Sequence, residues 1–133
     1  MATIFTRIIK GEIPCYKIYE DENYFAFLDI NPLQKGHTLV IPKKEDDYIF
    51  NLDDATYSGL MMTAKKIAAA IKESTNCKRV GVTVLGMEVP HVHIHLVPMN
   101  SEKDMLFSNP KMELSKEEFE AIAYAHLQLA KLH

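Results

Sequence analysis

The stretch PHVHIHLVPM, residues 90–99, constrains the fold more than any other. His91, His93 and His95 occupy every second position, and Val92, Ile94 and Leu96 fill the alternate ones. A side-chain period of two belongs to a β-strand, whose successive residues point to opposite faces. A strand here sets the three imidazoles on one face, about 6.5–7 Å apart. The aliphatic side chains then face a core on the other side. Such a strand needs pairing partners and a covering layer.

The remaining chain offers both. YKIYEDE and YFAFLDI read as two short strands around an Asp21-Glu22-Asn23 turn. NPLQKGH is a loop marked by Pro32 and Gly36, and HTLVIPK is a third strand ended by Pro42. KRVGVTVL is a β-branched fourth strand, and HVHIHLVP is the fifth, stopped by Pro98. Residues 53–73 predict a helix with Asp53 as N-cap and one stripe through Leu60, Ala64, Ile67, Ala68 and Ile71. SKEE at 115–118 is a capping box that opens a second helix, burying Phe119, Ile122, Ala123, Leu127 and Ala130. His126 falls on that same face and reads as a structural or interface residue. TIFTRIIKGEIPCY starts as an apolar cluster punctuated by Gly11 and Pro14. Residues 99–114 form a connection at or beyond the ~12–15 residues that are already uncommon in compact domains, which suits a lid or an interface arm. The order β-β-β-α-β-β-α predicts a single α+β domain over residues 1–133, with a mainly antiparallel five-stranded sheet and two helices.

Charge and cysteine content narrow the activity. A net charge of −3 argues against nucleic acid or an anionic membrane as the main partner, because both call for a basic surface. Cys15 and Cys77 make no metal-type spacing and demand no disulfide. No signal-peptide core opens the chain, and no segment reaches the ~18 apolar residues of a membrane span. The expected compartment is the cytoplasm.

Three readings compete for the histidine row. A merely solvated face is served better by Lys, Glu or Thr. A metal site suits imidazole, but a structural site usually needs a fourth ligand such as Cys, and none clusters nearby. A nucleophilic or acid–base site suits a group that titrates near neutrality and forms covalent intermediates. For phosphoryl or nucleotidyl transfer, the attacking imidazole needs one bare nitrogen, with its other nitrogen fixed by a hydrogen bond. Neighbouring donors then hold the phosphate oxygens as charge builds. This third reading is preferred.

HVHIHLV resembles the His-φ-His-φ-His-φ-φ signature of the histidine-triad (HIT) family of nucleotide hydrolases and transferases. IFTRIIKGEIP at 4–14, YFAFLDINP at 24–32 and GHTLVIPKK at 36–44 are similar to other family segments, in the same order. The resemblance covers roughly residues 3–98. It implies His93 as nucleophile on the α-phosphorus of a nucleotide, His95 as a phosphate contact, and His91 and His37 as supports. Glu88 aligns with the segment that touches the leaving group. Ile4, Phe5 and Ile8 would form one wall of a nucleoside pocket, and Phe27, Leu28 and Ile30 the other. Asp29 would accept the ribose hydroxyls. The implied activity is hydrolysis of a nucleoside 5′-phosphoramidate or related mononucleotide conjugate. Alternatives are dinucleoside polyphosphate hydrolysis, which asks for cations such as Lys43, Lys44 or a loop lysine, and an idle nucleotide-binding module. A purine nucleotide or conjugate is the implied partner, a homodimer the implied assembly, and no cofactor is implied.

Three departures stand out. Many members carry a Cys-x-x-Cys pair and a later His that bind zinc with the first triad histidine. Here Thr3, Thr6 and Glu45 stand in those places, so no structural zinc is expected. A phosphate-contacting amide before the triad is missing, with a backbone N–H or Thr83 as candidate replacement. The chain also continues past the triad for some 35 residues, into 99–133.

Overall fold

In the computed structural model, which describes residues 2–133, two strands are buried along their whole length: β2 at Tyr24–Leu28 and β3 at Thr38–Pro42. A sheet covered on both faces asks for continuous apolar runs, and YFAFL and TLVIP supply them. Together with β1 (Lys17–Glu20), β4 (Arg79–Thr83) and β5 (Ile94–Met99) they form one antiparallel sheet in the order β1-β2-β3-β5-β4.

One face carries Tyr24, Ala26, Leu28, Val40, Ile94 and Leu96. Two helices cover it: α2 (Asp54–Thr75) through Leu60, Ala64 and Ile67, and α3 (Lys116–Ala130) through Phe119 and Ala123. Asp53 caps α2 by accepting from the Thr56 N–H, and Ser115 and Glu118 form the expected capping box on α3. The opposite face carries Phe25, Phe27, Leu39 and Ile41, which pack on Phe5. Phe5 belongs to a third helix, α1 at Ile4–Ile9, where only an apolar cluster was expected. The α+β class and the five-stranded antiparallel sheet agree with the sequence reading, but the helix count rises to three.

Two details of the fifth strand differ from expectation. β5 begins at Ile94, so of the three histidines only His95 lies in a ladder, opposite Leu39 and Thr83. His91 and His93 occupy the irregular segment just before it. The strand also runs through Pro98 to Met99. Beyond Leu96 its pairing to β3 has ended and only β4 remains beside it, an edge condition in which proline is tolerated.

His126 is buried between layers. Its Nε2–H donates to Gly36 O at 3.4 Å, and its Nδ1 accepts from the Ser74 hydroxyl at 2.7 Å. Gly36 adopts φ +101°, and a Cβ there would lie 3.2 Å from the His126 ring. The structural reading of His126 fits this placement. Among the described residues, no helix is long and apolar enough to cross a membrane.

Candidate active site

The second face of the sheet is only partly covered by α1, and the gap is a cavity of about 510 Å³. That volume suits a small-molecule ligand. Ile4, Phe5 and Ile8 of α1 line one side. Phe27 and Leu28 of β2, with Asp29 and Ile30 just after it, also line it. Ile4 and Ile30 are 50% and 64% exposed, so their apolar surface faces the opening instead of a core. Phe5 and Phe27 do both jobs, since they belong to the second apolar cluster and also line the cavity. Glu88 is an exposed residue on its rim. His93 and His95 line the floor with ring centroids 4.9 Å apart. His91 and His37 do not line the cavity; each lies behind one of these two.

The hydrogen bonds fix which nitrogen carries each proton, because the network ends on backbone groups of fixed polarity. The Leu33 N–H can only donate, and it meets His37 Nδ1 at 3.0 Å. A neutral His37 therefore carries its proton on Nε2, which donates to His95 Nδ1 at 3.0 Å. His95 is left with its proton on Nε2. His91 O can only accept, and it takes the His93 Nδ1–H at 2.7 Å. His93 Nε2 is therefore bare. No buried side-chain nitrogen or oxygen lacks a partner among the described residues, so this unpartnered atom is open to the cavity. A bare nitrogen and an N–H donor thus stand side by side.

Burial keeps His37 and His95 neutral. Desolvation, then the neighbouring His95, pushes His37 down to about 3 from the ordinary 6.5. Desolvation, then His93, holds His95 at about 4. Asp29 sits at the end of β2 with Oδ2 3.6 Å from His37 Nε2 and Oδ1 accepting the Asn31 N–H at 2.8 Å. Burial raises its carboxyl above the usual range, although the Asn31 bond opposes this.

Asp29, His37 and His95 also bring ligand atoms within 4.8 Å of one another. The proton arrangement opposes a metal there. A neutral His37 bound to metal through Nε2 carries its proton on Nδ1, where it meets the Leu33 N–H head-on.

The position where no structural zinc is expected, because Thr3, Thr6 and Glu45 replace the ligands that many members carry, is a hydrogen-bonded cluster. His91 Nε2–H donates to Pro42 O at 2.8 Å, so its Nδ1 accepts from the Thr3 hydroxyl at 2.8 Å. Thr3 Oγ1 also accepts the Thr6 N–H as the N-cap of α1. Glu45 accepts from the Thr6 hydroxyl and from the Thr3 N–H. Hydroxyls are poor Zn²⁺ ligands, and the one imidazole nitrogen present is already bonded, so this donor set does not fit zinc.

The 99–114 connection reaches the site. The Phe107 ring meets His95 edge-on at 4.9 Å and His37 at 6.3 Å, and Lys111 lines the cavity. Sequence reasoning missed both residues; an aromatic followed by a lysine four positions later in a long loop is too weak a signal by itself. Thr83, a candidate phosphate contact, pairs with His95 in the sheet and does not line the cavity. Lys43 and Lys44 also stay outside it, paired with Glu20 at 2.8 Å and Asp53 at 3.5 Å.

A profile of the HIT domain matches residues 10–102. The chain belongs to the HIT domain family. It is 38% identical over 128 residues to an uncharacterised HIT-like protein of Borreliella burgdorferi, covering 90% of this chain and 92% of that one. It is 38% identical over 134 residues to the adenosine 5′-monophosphoramidase HNT1 of Saccharomyces cerevisiae, covering 98% of this chain and 83% of that one. The crystal structure of a Zn-bound histidine triad family protein from Mycobacterium smegmatis superposes with a TM-score of 0.81 at 29% identity, covering 100% of this chain and 99% of the other. This HIT chain lacks the soft donors a zinc site needs at the cluster around His91.

Proposed function

We propose that this HIT protein hydrolyses nucleoside 5′-phosphoramidates or related mononucleotide conjugates at the α-phosphorus, through a covalent nucleotidyl-histidine on His93. The observation that carries the proposal is the bare His93 Nε2 beside the His95 Nε2–H at the cavity floor. In the first step the Nε2 lone pair forms a bond to phosphorus while the bond from phosphorus to the leaving nitrogen, which has already taken a proton from solvent, breaks and releases the neutral amine. The growing charge on the His93 ring is stabilised by its Nδ1–H bond to His91 O. His95 donates to a phosphoryl oxygen. Water then attacks phosphorus, the bond to His93 breaks, and the nucleoside monophosphate leaves. The apolar walls take the base, Asp29 takes the ribose hydroxyls, and Glu88 is placed to meet the leaving group. The adenosine monophosphoramidase named among the relatives supports this substrate class. For dinucleoside polyphosphates, Lys43 and Lys44 give no support, being committed to carboxylates away from the cavity, and among the described residues only the loop lysine Lys111 stands at the site.

A homodimer and a cytoplasmic setting belong to the same proposal. β4 ends the sheet with an unpaired edge and an outward Val82 that is 53% exposed, a surface that invites a second strand. Both cysteines are free, as suits a reducing compartment. Sedimentation at micromolar concentration tests the dimer, which is absent if the mass is that of one chain.

The deciding assay compares wild type with His93→Ala on adenosine 5′-phosphoramidate in EDTA, with intact-mass detection of the adduct. The expected result is AMP release and a transient nucleotidyl adduct in wild type, both lost in the variant. Equal turnover by the two proteins refutes His93 as nucleophile. Turnover by neither, with binding retained, leaves a nucleotide-binding module.

A further inference from the structure

We infer that Lys111 is the cation that receives the charged phosphoryl group, brought to the site by the chain that follows β5. The inference rests on the nucleotide reading above. A nucleotide phosphoryl group carries negative charge, and the transition state concentrates it on the non-bridging oxygens. The buried rings around it add no full positive charge, since His37 and His95 are held neutral. The cavity also contains two carboxylates, Asp29 and Glu88. Lys111 is the one lysine or arginine that lines it among the described residues.

Its placement is defined by three independent contacts. Nζ donates to Phe107 O at 2.5 Å and to Asn109 O at 3.2 Å. It also lies 5.7 Å from the centroid of the Phe107 ring, whose edge packs on His95. An ammonium has three N–H donors, so two are held by backbone and one remains for a ligand. The charge is felt inside the site: burial dominates, raising the Asp29 carboxyl and lowering the His37 ring, and Lys111 adds a smaller pull downward on each. Phe107 and Lys111 thus form one unit, the ring packing on His95 and the lysine lining the cavity beside it. This gives the segment after the triad a chemical task that neither a cover nor a dimer arm requires.

The test is calorimetric binding of AMP and of adenosine, at low and high salt, to wild type, Lys111→Met and Lys111→Arg, with kcat/KM on adenosine 5′-phosphoramidate alongside. Lys111→Met is expected to weaken AMP about tenfold or more and to leave adenosine unchanged. It should also flatten the salt dependence of AMP binding and lower kcat/KM at least in parallel. Lys111→Arg should restore most of each. Equal weakening of AMP and adenosine assigns Lys111 a merely structural role and overturns the inference. Unchanged AMP binding overturns it as well. If wild type binds neither ligand, the nucleotide reading fails and takes this inference with it; if wild type binds both, only the comparison with Lys111→Met is at stake.

Discussion

At the scale of single residues, the site is a set of protons placed by backbone groups. Leu33 N–H and His91 O set the two rings that face the ligand, so the sequence spacing HVHIH is only half of the device. The other half is visible only in three dimensions, because Leu33 lies 60 residues before His93. Thr3 is the sharpest case. Read as a missing zinc ligand, it turns out to have two partners of its own: it caps α1 and satisfies the fully buried His91 Nδ1. Thr3→Ala loses a cap worth about 1 kcal/mol and leaves an acceptor whose burial without a partner costs about 1–3 kcal/mol. A loss of about 2 kcal/mol in urea denaturation is expected, with Thr3→Ser close to wild type. A Thr3→Ala protein as stable as wild type would mean that the His91 contact contributes nothing. Adding Zn²⁺ is expected to leave the wild-type melting temperature unchanged; a concentration-dependent rise that Glu45→Gln abolishes would show that the cluster takes metal after all.

At the scale of elements, periodicity located α2, α3 and the sheet because each buries a wide stripe against a neighbour. It did not locate α1, a helix of six residues, far below the length at which helices persist alone. α1 exists because Thr3 caps it and Phe5 packs on Phe27 with centroids 5.5 Å apart. The cap is local but brief, and the Phe27 contact is not local to the segment. The early start assigned to β5 has a similar cause: apolar alternation continues through Val92, but ladder partners do not. Gly59 shows the same dependence inside a well-predicted helix. Glycine in the middle of α2 costs about 1 kcal/mol relative to alanine, so propensity alone recommends Gly59→Ala. A Cβ there would fall 1.9 Å from the Tyr24 hydroxyl, which crosses from β2 to donate to Thr56 O at 3.0 Å. Tyr24 is buried and cannot swing away. Overpacking at about 1–3 kcal/mol therefore outweighs the propensity gain, and Gly59→Ala is expected to destabilise. In a Tyr24→Ala background the same substitution should become neutral or stabilising. A double-mutant cycle with no coupling would show that the two side chains do not contend for this space.

At the scale of the whole molecule, the two layers and the site are joined through buried neutral histidines. His126 of α3 supports the Gly36 turn, the next residue is His37, and His37 donates to His95 on β5. Covering the sheet on both faces therefore places three imidazoles where protonation is costly. Desolvation takes His37 down to about 3 and both His95 and His126 to about 4, from 6.5. Between pH 6.5 and 4 the unfolded chain binds protons at these rings and the native protein does not. Stability then rises with pH across that window and is lost as pH falls through it. Asp29, whose carboxyl is raised, acts in the opposite sense near the bottom of the window. Glu20 and Asp21, held low chiefly by the Lys43 bond and the Tyr19 hydroxyl, prolong the loss below it, with burial opposing in each. The urea midpoint of wild type is expected to be flat above pH 7 and to fall steeply from pH 6.5 to 4. His126→Gln removes one titrating ring outside the cavity, so its slope should be shallower by up to about 1.4 kcal/mol per pH unit. A wild-type midpoint that does not move between pH 7 and 4.5 would mean that these rings are charged inside the fold, and the proton placement that runs from Leu33 through His37 to His95 would fall with it.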